Sequence, residues 1–215
     1  MTEKERKKQE KLTAERERLY AMREYERKYE AAGFICGVDE AGRGPLAGPV
    51  CAGAVILPKD CEILYLNDSK KCTEKRRDAL YDEIKEKALS WSVALVDEKR
   101  IDEINILQAT YEAMRIAIKN LDERPDILLN DALIIPEVDI PQEKIIKGDA
   151  KSVSIAAASI MAKVTRDRLM TEYDEKYPQY GFARHKGYGT KAHIEAIKKY
   201  GPCPIHRISF IGKFI

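Results

Sequence analysis

Two short apolar segments constrain the fold of this chain most strongly. Residues 34–38 and 50–57 carry no charged side chains, which is typical of strands that are covered on both faces of a sheet. Apolar side chains then alternate over residues 91–95, the period-two pattern of a third strand. Residues 127–129 and 143–147 predict two more strands, so we expect the chain to build a sheet around this apolar centre.

Segments with helical periodicity separate these strands. Apolar residues between 104 and 121 recur every three or four positions, as they do on one face of an amphipathic helix. Helices are also predicted over 74–89 and 151–176, and Thr190 is expected to cap a last one. Strands that alternate with helices predict an α/β fold with a mixed sheet.

The first 32 residues differ in composition from the rest of the chain. Residues 1–32 are dense in basic and acidic side chains, and a narrow apolar stripe predicts one helix over 3–30 that docks on the domain or on a partner. Residues 33–215 are then the main domain, with an acidic middle over 33–183 and a basic end over 184–215. This distribution suits a protein that binds cations in one place and phosphates in another, and it equally suits an ordinary solvated surface.

Composition argues against several classes of protein. No segment approaches about 18 uninterrupted apolar residues, so no transmembrane helix is expected, and no apolar stretch follows the charged N-terminus to make a secretory signal. The five cysteines include no C-x-x-C pair, which argues against a zinc ribbon or a thioredoxin-type site. Reduced thiols in the cytoplasm are the simplest interpretation. A monomer is expected because no long apolar face is left over.

The most unusual feature is a buried strand that leads into two adjacent carboxylates, Asp39 and Glu40. Neighbouring negative charges repel, and burying either one without a cation costs several kcal/mol. A metal ion or the guanidinium of Arg43 is therefore expected beside them. Because consecutive strand residues point to opposite faces, the two carboxylates can converge only if the strand twists outward at Glu40.

The glycine-rich turn after these acids allows three interpretations. Gly42-x-Gly44-x-x-Ala47 matches a dinucleotide-binding fingerprint, but prolines and a second strand follow where that motif needs a helix. A phosphate-binding Walker loop would need Gly-Lys-Ser/Thr, which the chain lacks. What remains is a pair of carboxylates for a metal, beside a glycine turn whose backbone can approach a ligand closely.

Two further acids lie at the ends of predicted elements. The strand at 127–129 runs into Asp131, and Asp149 lies at the start of a helix. Taken alone, Asp131 suits a turn and Asp149 suits a helix cap. Ligands of open α/β sheets gather at the carboxyl ends of the strands, so we expect both acids to lie near Asp39 and Glu40. Oxygen ligands select hard cations, Mg²⁺ or Mn²⁺, and two such ions suit phosphoryl transfer.

Six segments of the chain resemble motifs of bacterial ribonuclease HII, the type 2 ribonucleases H. They occur in the order expected for that family and fall within residues 34–210, so the match is highly specific. The matching segments are Gly37–Val50, Asn67–Lys70, Lys147–Ser152, Ala156–Arg168, His185–Thr190 and His206–Phe210.

The resemblance implies an RNase H-like fold over residues 33–215, with a central mixed β-sheet flanked by helices and a C-terminal helical segment. It implies an endoribonuclease that hydrolyses the RNA strand of RNA–DNA hybrids and cuts on the 5′ side of ribonucleotides embedded in duplex DNA. The products carry 3′-hydroxyl and 5′-phosphate ends. The resemblance further implies two-metal-ion catalysis with Mg²⁺ or Mn²⁺, a role in ribonucleotide excision repair and a location in the cytoplasm.

The resemblance also implies which residues form the site. The metal ligands and catalytic residues are Asp39, Glu40, Asp131 and Asp149. The family's Gly-Arg-Gly element matches Gly42, Arg43 and Gly44, and in the family its backbone contacts the ribose 2′-hydroxyl. The family's junction-sensing tyrosine matches Tyr188. Candidate phosphate contacts are Lys70, Lys163, Arg184 and Lys186. Taken singly, each of these four cations is more often an ordinary surface residue.

The chain departs from the family pattern at one site position, because Asp131 precedes Ala132 where the family usually has glycine. Two other hypotheses remain. A non-enzymatic hybrid-binding protein could keep the same fold, although the four acids argue against it. A nucleotide-binding oxidoreductase is disfavoured by the missing helix after the glycines. The role of the helix predicted over 3–30 is left open.

Overall fold

A five-stranded mixed sheet forms the centre of the protein. The computed structural model describes residues 2–213 and 215. The strands are β1 (Ile35–Ala41), β2 (Val50–Ile56), β3 (Ser90–Val96), β4 (Ile127–Asp131) and β5 (Gln142–Ile145). They lie in the order β3-β2-β1-β4-β5, with β1–β2 and β2–β3 antiparallel and β1–β4 and β4–β5 parallel. The predicted α/β class and mixed sheet are confirmed.

Helices cover both faces of this sheet. They are α1 (Glu3–Met22), α2 (Glu24–Lys28), α3 (Glu74–Lys87), α4 (Glu98–Lys119), α5 (Val153–Lys176), α6 (Phe182–His185), α7 (Lys191–Tyr200) and α8 (Ile208–Ile211). The apolar face of α4 packs against β1, β2 and β3 on one side, and α3 and α5 pack on the other side. Among the described residues, no helix is both long enough and apolar enough to cross a membrane.

The central helix α5 lies unusually close to the sheet. A Cβ atom on Gly37 of β1 would come within 2.0 Å of the Ser154 backbone, and one on Gly53 of β2 would come within 2.4 Å of the Ala158 carbonyl oxygen. The alanines on this part of α5, Ala156 to Ala158, are fully buried. Small residues on both partners therefore allow α5 to position its N-terminal half directly over β1.

The amphipathic helix predicted over 104–121 begins earlier and contains a kink. Asp97 caps α4, and its side chain accepts the backbone N–H of Arg100 at 2.8 Å. Asn105 interrupts the helix with a φ of 67°, and its side-chain oxygen accepts the N–H of Leu107 at 3.0 Å. Asparagine tolerates the left-handed region because its side chain bonds locally, so the apolar spacing alone does not show this break.

The prediction of a single helix over 3–30 is wrong, because the helix is interrupted at Arg23 and continues as a separate short helix, α2. The Arg23 guanidinium donates to the carbonyl oxygens of Lys59 and Cys61, which ties the break to the main domain. Leu19 and Met22 at the end of α1 are buried in the core on the α5 side of the sheet. The predicted docking of this extension on the domain is thus observed.

The C-terminal part of the chain forms a separate apolar cluster around Phe182, Ile197 and Met170. Thr190 caps α7, and its hydroxyl accepts the N–H of His193 at 3.3 Å, as predicted. Within this cluster, Ala47 pairs with His206 as an isolated β-bridge. The turn between β1 and β2 is therefore held against the C-terminal segment.

Candidate active site

The four predicted acids lie at one edge of the sheet. Strands β1, β4 and β5 run parallel, so their carboxyl ends meet at the same edge. Asp39 and Glu40 lie near the end of β1, Asp131 is the last residue of β4, and Asp149 lies in a short 3₁₀ turn that follows β5. The three parallel strands thus deliver all four side chains to a common region.

Strand register and one hydrogen bond set their relative positions. Val38 of β1 pairs with Asn130 of β4, which places Asp39 and Asp131 side by side as the next residues along the two strands. The Asp131 Oδ1 atom accepts the backbone N–H of Gly148 at 2.7 Å. This bond fixes the end of β4 to the turn that carries Asp149.

Strand β1 is longer than predicted, and this determines how its two acids point. The predicted strand over 34–38 continues to Ala41 because residues 39–41 pair with residues 51–53 of β2. Asp39 and Glu40 therefore remain strand residues, which start toward opposite faces of the sheet, yet the charges of Asp131 and Lys70 act on both carboxylates. Asp39 lies on the α5 side near Ser159, and its Oδ1 atom accepts the backbone N–H of Glu40 at 2.7 Å.

Burial and the neighbouring negative charges make this edge of the sheet unfavourable for ionised carboxylates. Burial, together with the charges of Glu40 and Asp131, raises the pKa of Asp39 well above its usual value. Burial also raises the pKa of Glu40, against the opposing effect of Arg43, whose guanidinium lies 3.2 Å from the Glu40 Oε1 atom. The Glu40 Oε2 atom is buried without a hydrogen-bond partner. The region therefore favours a nearby positive charge.

Asp149 has a fifth acid beside it. Burial and the nearby carboxylates of Asp68 and Asp131 raise the pKa of Asp149, and Asp68 lies within hydrogen-bonding reach of it. Partial burial acts to lower the pKa of the Lys70 ammonium group. The negative charges of Asp68, Asp39 and Asp149 outweigh this effect, so the pKa of Lys70 is raised. The structure thus brings Lys70 to the acids, and it adds Asp68, which lay inside a matching motif without an assigned role.

The four acids are neighbours, but their side chains do not surround a single point. Among residues 2–213 and 215, no three His, Cys, Asp or Glu side chains are arranged so that one ion could contact all of them. Three of the carboxylates have different partners: the Glu40 N–H for Asp39, Arg43 for Glu40, and the Gly148 N–H for Asp131. Three of these side chains would have to rotate to contact one ion together.

The glycine turn lies beside Tyr188. Gly42 has a φ of 92°, and a Cβ there would meet the Arg166 side chain at 2.1 Å, so this position requires glycine. Gly44 and Arg43 are exposed, and a Cβ on Gly44 would lie 3.8 Å from the Tyr188 ring. The turn leads into β2 and not into a helix, which removes the structural basis for a dinucleotide site.

The remaining predicted phosphate contacts lie further along the chain. The Lys163 ammonium group is mostly buried and pairs with Asp167 at 2.7 Å. Lys186 donates to the Thr171 hydroxyl at 3.0 Å, and Arg184 is exposed on α6. The structure therefore leaves Arg184 open to solvent and gives the two lysines partners within the protein.

Two buried arginines, Arg166 and Arg207, were not singled out from the sequence. Arg166 is 1% exposed and Arg207 is 0% exposed, and both guanidiniums bond the backbone around the glycine turn. Both belong to motif segments that match the family. Arginine is usually exposed, so sequence alone gives no signal that these two side chains are buried.

The chain is similar in sequence to known proteins. The family model for ribonuclease HII matches residues 36–213. The chain is 66% identical over 202 residues to the ribonuclease HII of Lachnoclostridium phytofermentans. The aligned region covers 94% of this chain and 80% of the relative.

Solved structures share the fold as well. The crystal structure of the ribonuclease H2 from Pyrococcus horikoshii OT3 has a TM-score of 0.70 at 31% identity, covering 84% of this chain and 96% of that one. Bst-RNase HIII in complex with Mn²⁺ has a TM-score of 0.57 at 16% identity, covering 78% of this chain and 63% of that one, a likeness of fold alone. The predicted RNase H-like fold and the family resemblance are confirmed. The chain belongs to the ribonuclease HII family and is a ribonuclease H, an endonuclease of the hydrolase class.

Proposed function

We propose that this enzyme hydrolyses the RNA strand of RNA–DNA hybrids and cuts on the 5′ side of ribonucleotides embedded in duplex DNA, leaving 3′-hydroxyl and 5′-phosphate ends. The observation that carries the proposal is the meeting of Asp39, Glu40, Asp131 and Asp149 at the carboxyl edge of three parallel strands, where burial and mutual repulsion raise the pKa of three of the four. Acids placed at such an energetic cost suit a site that binds cations.

The donor chemistry of this edge fits Mg²⁺ or Mn²⁺. All four side chains offer oxygen atoms, which hard divalent cations prefer, and the buried Glu40 Oε2 atom lacks any other partner. Bound there, such cations would supply a more acidic water and positive charge for the leaving 3′-oxygen of a phosphodiester. In the proposal Asp39, Glu40, Asp131 and Asp149 hold these cations.

The protein's own groups then bind and orient the nucleic acid. Lys70 lies among the acids and carries a positive charge that suits the scissile phosphate. The backbone of Gly42–Gly44, exposed at Arg43 and Gly44, would contact the ribose 2′-hydroxyl, the group that distinguishes RNA from DNA. The ring of Tyr188, 46% exposed and adjacent to Gly44, would stack on the sugar of the following deoxynucleotide. Lys163, Arg184 and Lys186 remain proposed phosphate contacts on the same chain.

We further propose a monomer that acts in ribonucleotide excision repair in the cytoplasm, with residues 1–32 as an extension of the catalytic domain 33–215. All five cysteines are free thiols, as suits a reducing compartment. The docking of α1 and α2 on the main domain buries the apolar stripe of the extension.

The substitution Asp39→Asn tests the carboxylate assignment. We expect cleavage of a duplex with one ribonucleotide to fall by more than about 100-fold, because even the outer-shell partners of metal ligands are worth about 10- to 100-fold. Binding of the same duplex should be kept or strengthened, since a negative charge that faces phosphates is removed. Single-turnover cleavage and equilibrium binding, both with Mg²⁺ and with Mn²⁺, give the two quantities.

The matched control is Asp139→Asn, an exposed acid in the segment between β4 and β5. It should cleave within about twofold of the parent enzyme, because an exposed substitution away from the acids changes little. Full activity in Asp39→Asn, or an equal loss in both variants, would contradict the assignment of the four carboxylates.

A further inference from the structure

The turn between β1 and β2 is held by two buried arginines. The Arg207 guanidinium donates to three carbonyl oxygens of this turn, at 2.9 Å to Gly48, 3.0 Å to Arg43 and 2.6 Å to Gly42. Burying a guanidinium is costly, and burial, together with the charge of Arg166, lowers the pKa of Arg207. A residue kept at such a cost is expected to do more than fill space.

Arg166 on α5 holds the other side of the same turn. It donates to the carbonyl oxygens of Pro49 at 2.8 Å, Ala47 at 3.0 Å and Lys186 at 2.9 Å. Both arginines therefore hold the end of the turn, around Ala47, Gly48 and Pro49. Only Arg207 also binds the carbonyls of Gly42 and Arg43, in the glycine element.

The hydrogen bonds of Arg207 fix which way two backbone N–H groups point. A trans peptide is planar, and its C=O and N–H bonds point in opposite directions. Since Arg207 holds the carbonyls of Gly42 and Arg43, the N–H groups of Arg43 and Gly44 point away from it. Within the described part of the chain neither of these N–H groups has a hydrogen-bond acceptor, and both residues are exposed. Two oriented, unpaired donors beside Tyr188 are suited to binding a hydroxyl oxygen.

We propose that Arg207 is a positioning residue for ribonucleotide recognition, which holds the Gly42 and Arg43 carbonyls so that the N–H groups of Arg43 and Gly44 face the substrate. The inference rests on the proposed function, in which this turn contacts the 2′-hydroxyl. It assigns the choice between ribose and deoxyribose to a side chain that never touches the nucleic acid. It also explains why the C-terminal segment, through Arg207, reaches back to the turn after β1.

The test is the conservative variant Arg207→Lys, which keeps the charge but lacks the planar fork needed to hold two carbonyls at once. Affinity is measured in chelator, at one salt concentration, for a duplex with one ribonucleotide and for the all-DNA duplex of the same sequence. We expect the preference for the ribonucleotide to fall about tenfold, the effect of one lost hydrogen bond of the stronger kind. The affinity for all-DNA duplex should stay within about twofold.

The control is Arg166→Lys, an equally buried arginine that packs against Gly42 and also loses bonds to carbonyls, but does not bind the carbonyls of Gly42 and Arg43. Its ribonucleotide preference should fall by less than about threefold even if its stability falls as much as that of Arg207→Lys. An unchanged preference in Arg207→Lys, or the same loss in both variants, overturns the role of Arg207. If the parent enzyme itself shows no preference, the proposed function fails before any variant is compared.

A measurement on the unmodified protein covers the case in which Arg207→Lys does not fold. In NMR spectra the Arg207 Nε–H should exchange with solvent at least about tenfold more slowly than that of the exposed Arg184, because it is buried and bonded. The amide signals of Arg43 and Gly44 should shift with the ribonucleotide duplex and not with all-DNA duplex. Rapid exchange at Arg207, or equal shifts with both duplexes, overturns the inference.

Discussion

Ala132 occupies a backbone conformation that favours glycine. Its φ is 56°, and its N–H donates to the Ile145 carbonyl oxygen at 3.0 Å, which holds the residue in the left-handed region. Ala132 directly follows Asp131, at the position where the sequence departs from the family resemblance. A side chain with a Cβ is strained there by about 1–2 kcal/mol, so the departure seen in the sequence has a physical consequence next to the site.

We predict that Ala132→Gly stabilises the protein. Glycine relieves the strain of the left-handed conformation but also gives the unfolded chain more conformational entropy. The free energy gained from the first effect exceeds the cost of the second, so the free energy of unfolding should rise by about 0.5–1 kcal/mol. Urea unfolding measures this quantity. The control Ala196→Gly, in the interior of α7, should lower it by about 1 kcal/mol or more. Loss of stability in Ala132→Gly would show that the left-handed conformation is not strained.

At the scale of elements, α2 is bonded to the beginning of α5. The Glu26 Oε1 atom accepts the Ser152 hydroxyl at 2.5 Å and the Ser154 backbone N–H at 3.0 Å. The N-terminal end of a helix carries partial positive charge, which a carboxylate stabilises. The turn that carries Asp149 directly precedes Ser152, so the N-terminal extension supports the segment that delivers one of the four acids.

We predict that Glu26→Ala lowers the free energy of unfolding by about 1–3 kcal/mol. The substitution removes a charged acceptor and leaves a hydroxyl and an N–H group at the start of α5 without it. Glu24→Ala, an exposed acid on the same short helix, should change stability by less than about 0.5 kcal/mol. Equal effects of the two substitutions in denaturant unfolding would show that α2 contributes only general contact area.

The elements could be predicted where apolar patterns were regular. Continuous apolar runs predicted β2 and the start of β1, and three-to-four spacing predicted the body of α4. The breaks at Arg23 and Asn105 were not predicted, because each depends on side-chain bonds to the backbone that leave the apolar pattern unchanged. The end of β1 at Ala41 was missed because acids are rare in buried strands, whereas here pairing with β2 continues past them.

At the scale of the whole molecule, the sequence predicted which edge of the sheet carries the acids. It did not predict the buried arginines that hold the turn after β1. Asp131 and Asp149 could be placed with Asp39 because all three follow or end parallel strands. Arg166 and Arg207 could not be recognised, since a buried arginine and a surface arginine have the same sequence signature. Both act by joining segments distant in the chain, α5 and the C-terminal end, to the turn after β1.

The central claim is that one sheet edge binds cations and one glycine turn recognises ribose, and a single cleavage assay tests both. Labelled substrates are a DNA duplex with one ribonucleotide, the same duplex in all-DNA form and a long RNA–DNA hybrid, each with Mg²⁺, with Mn²⁺ or with chelator. We predict cation-dependent nicking on the 5′ side of the ribonucleotide, with the all-DNA duplex intact. Cleavage of the long hybrid alone would contradict ribose recognition at the junction by Gly42–Gly44 and Tyr188. Cleavage in chelator would contradict the role of the four carboxylates.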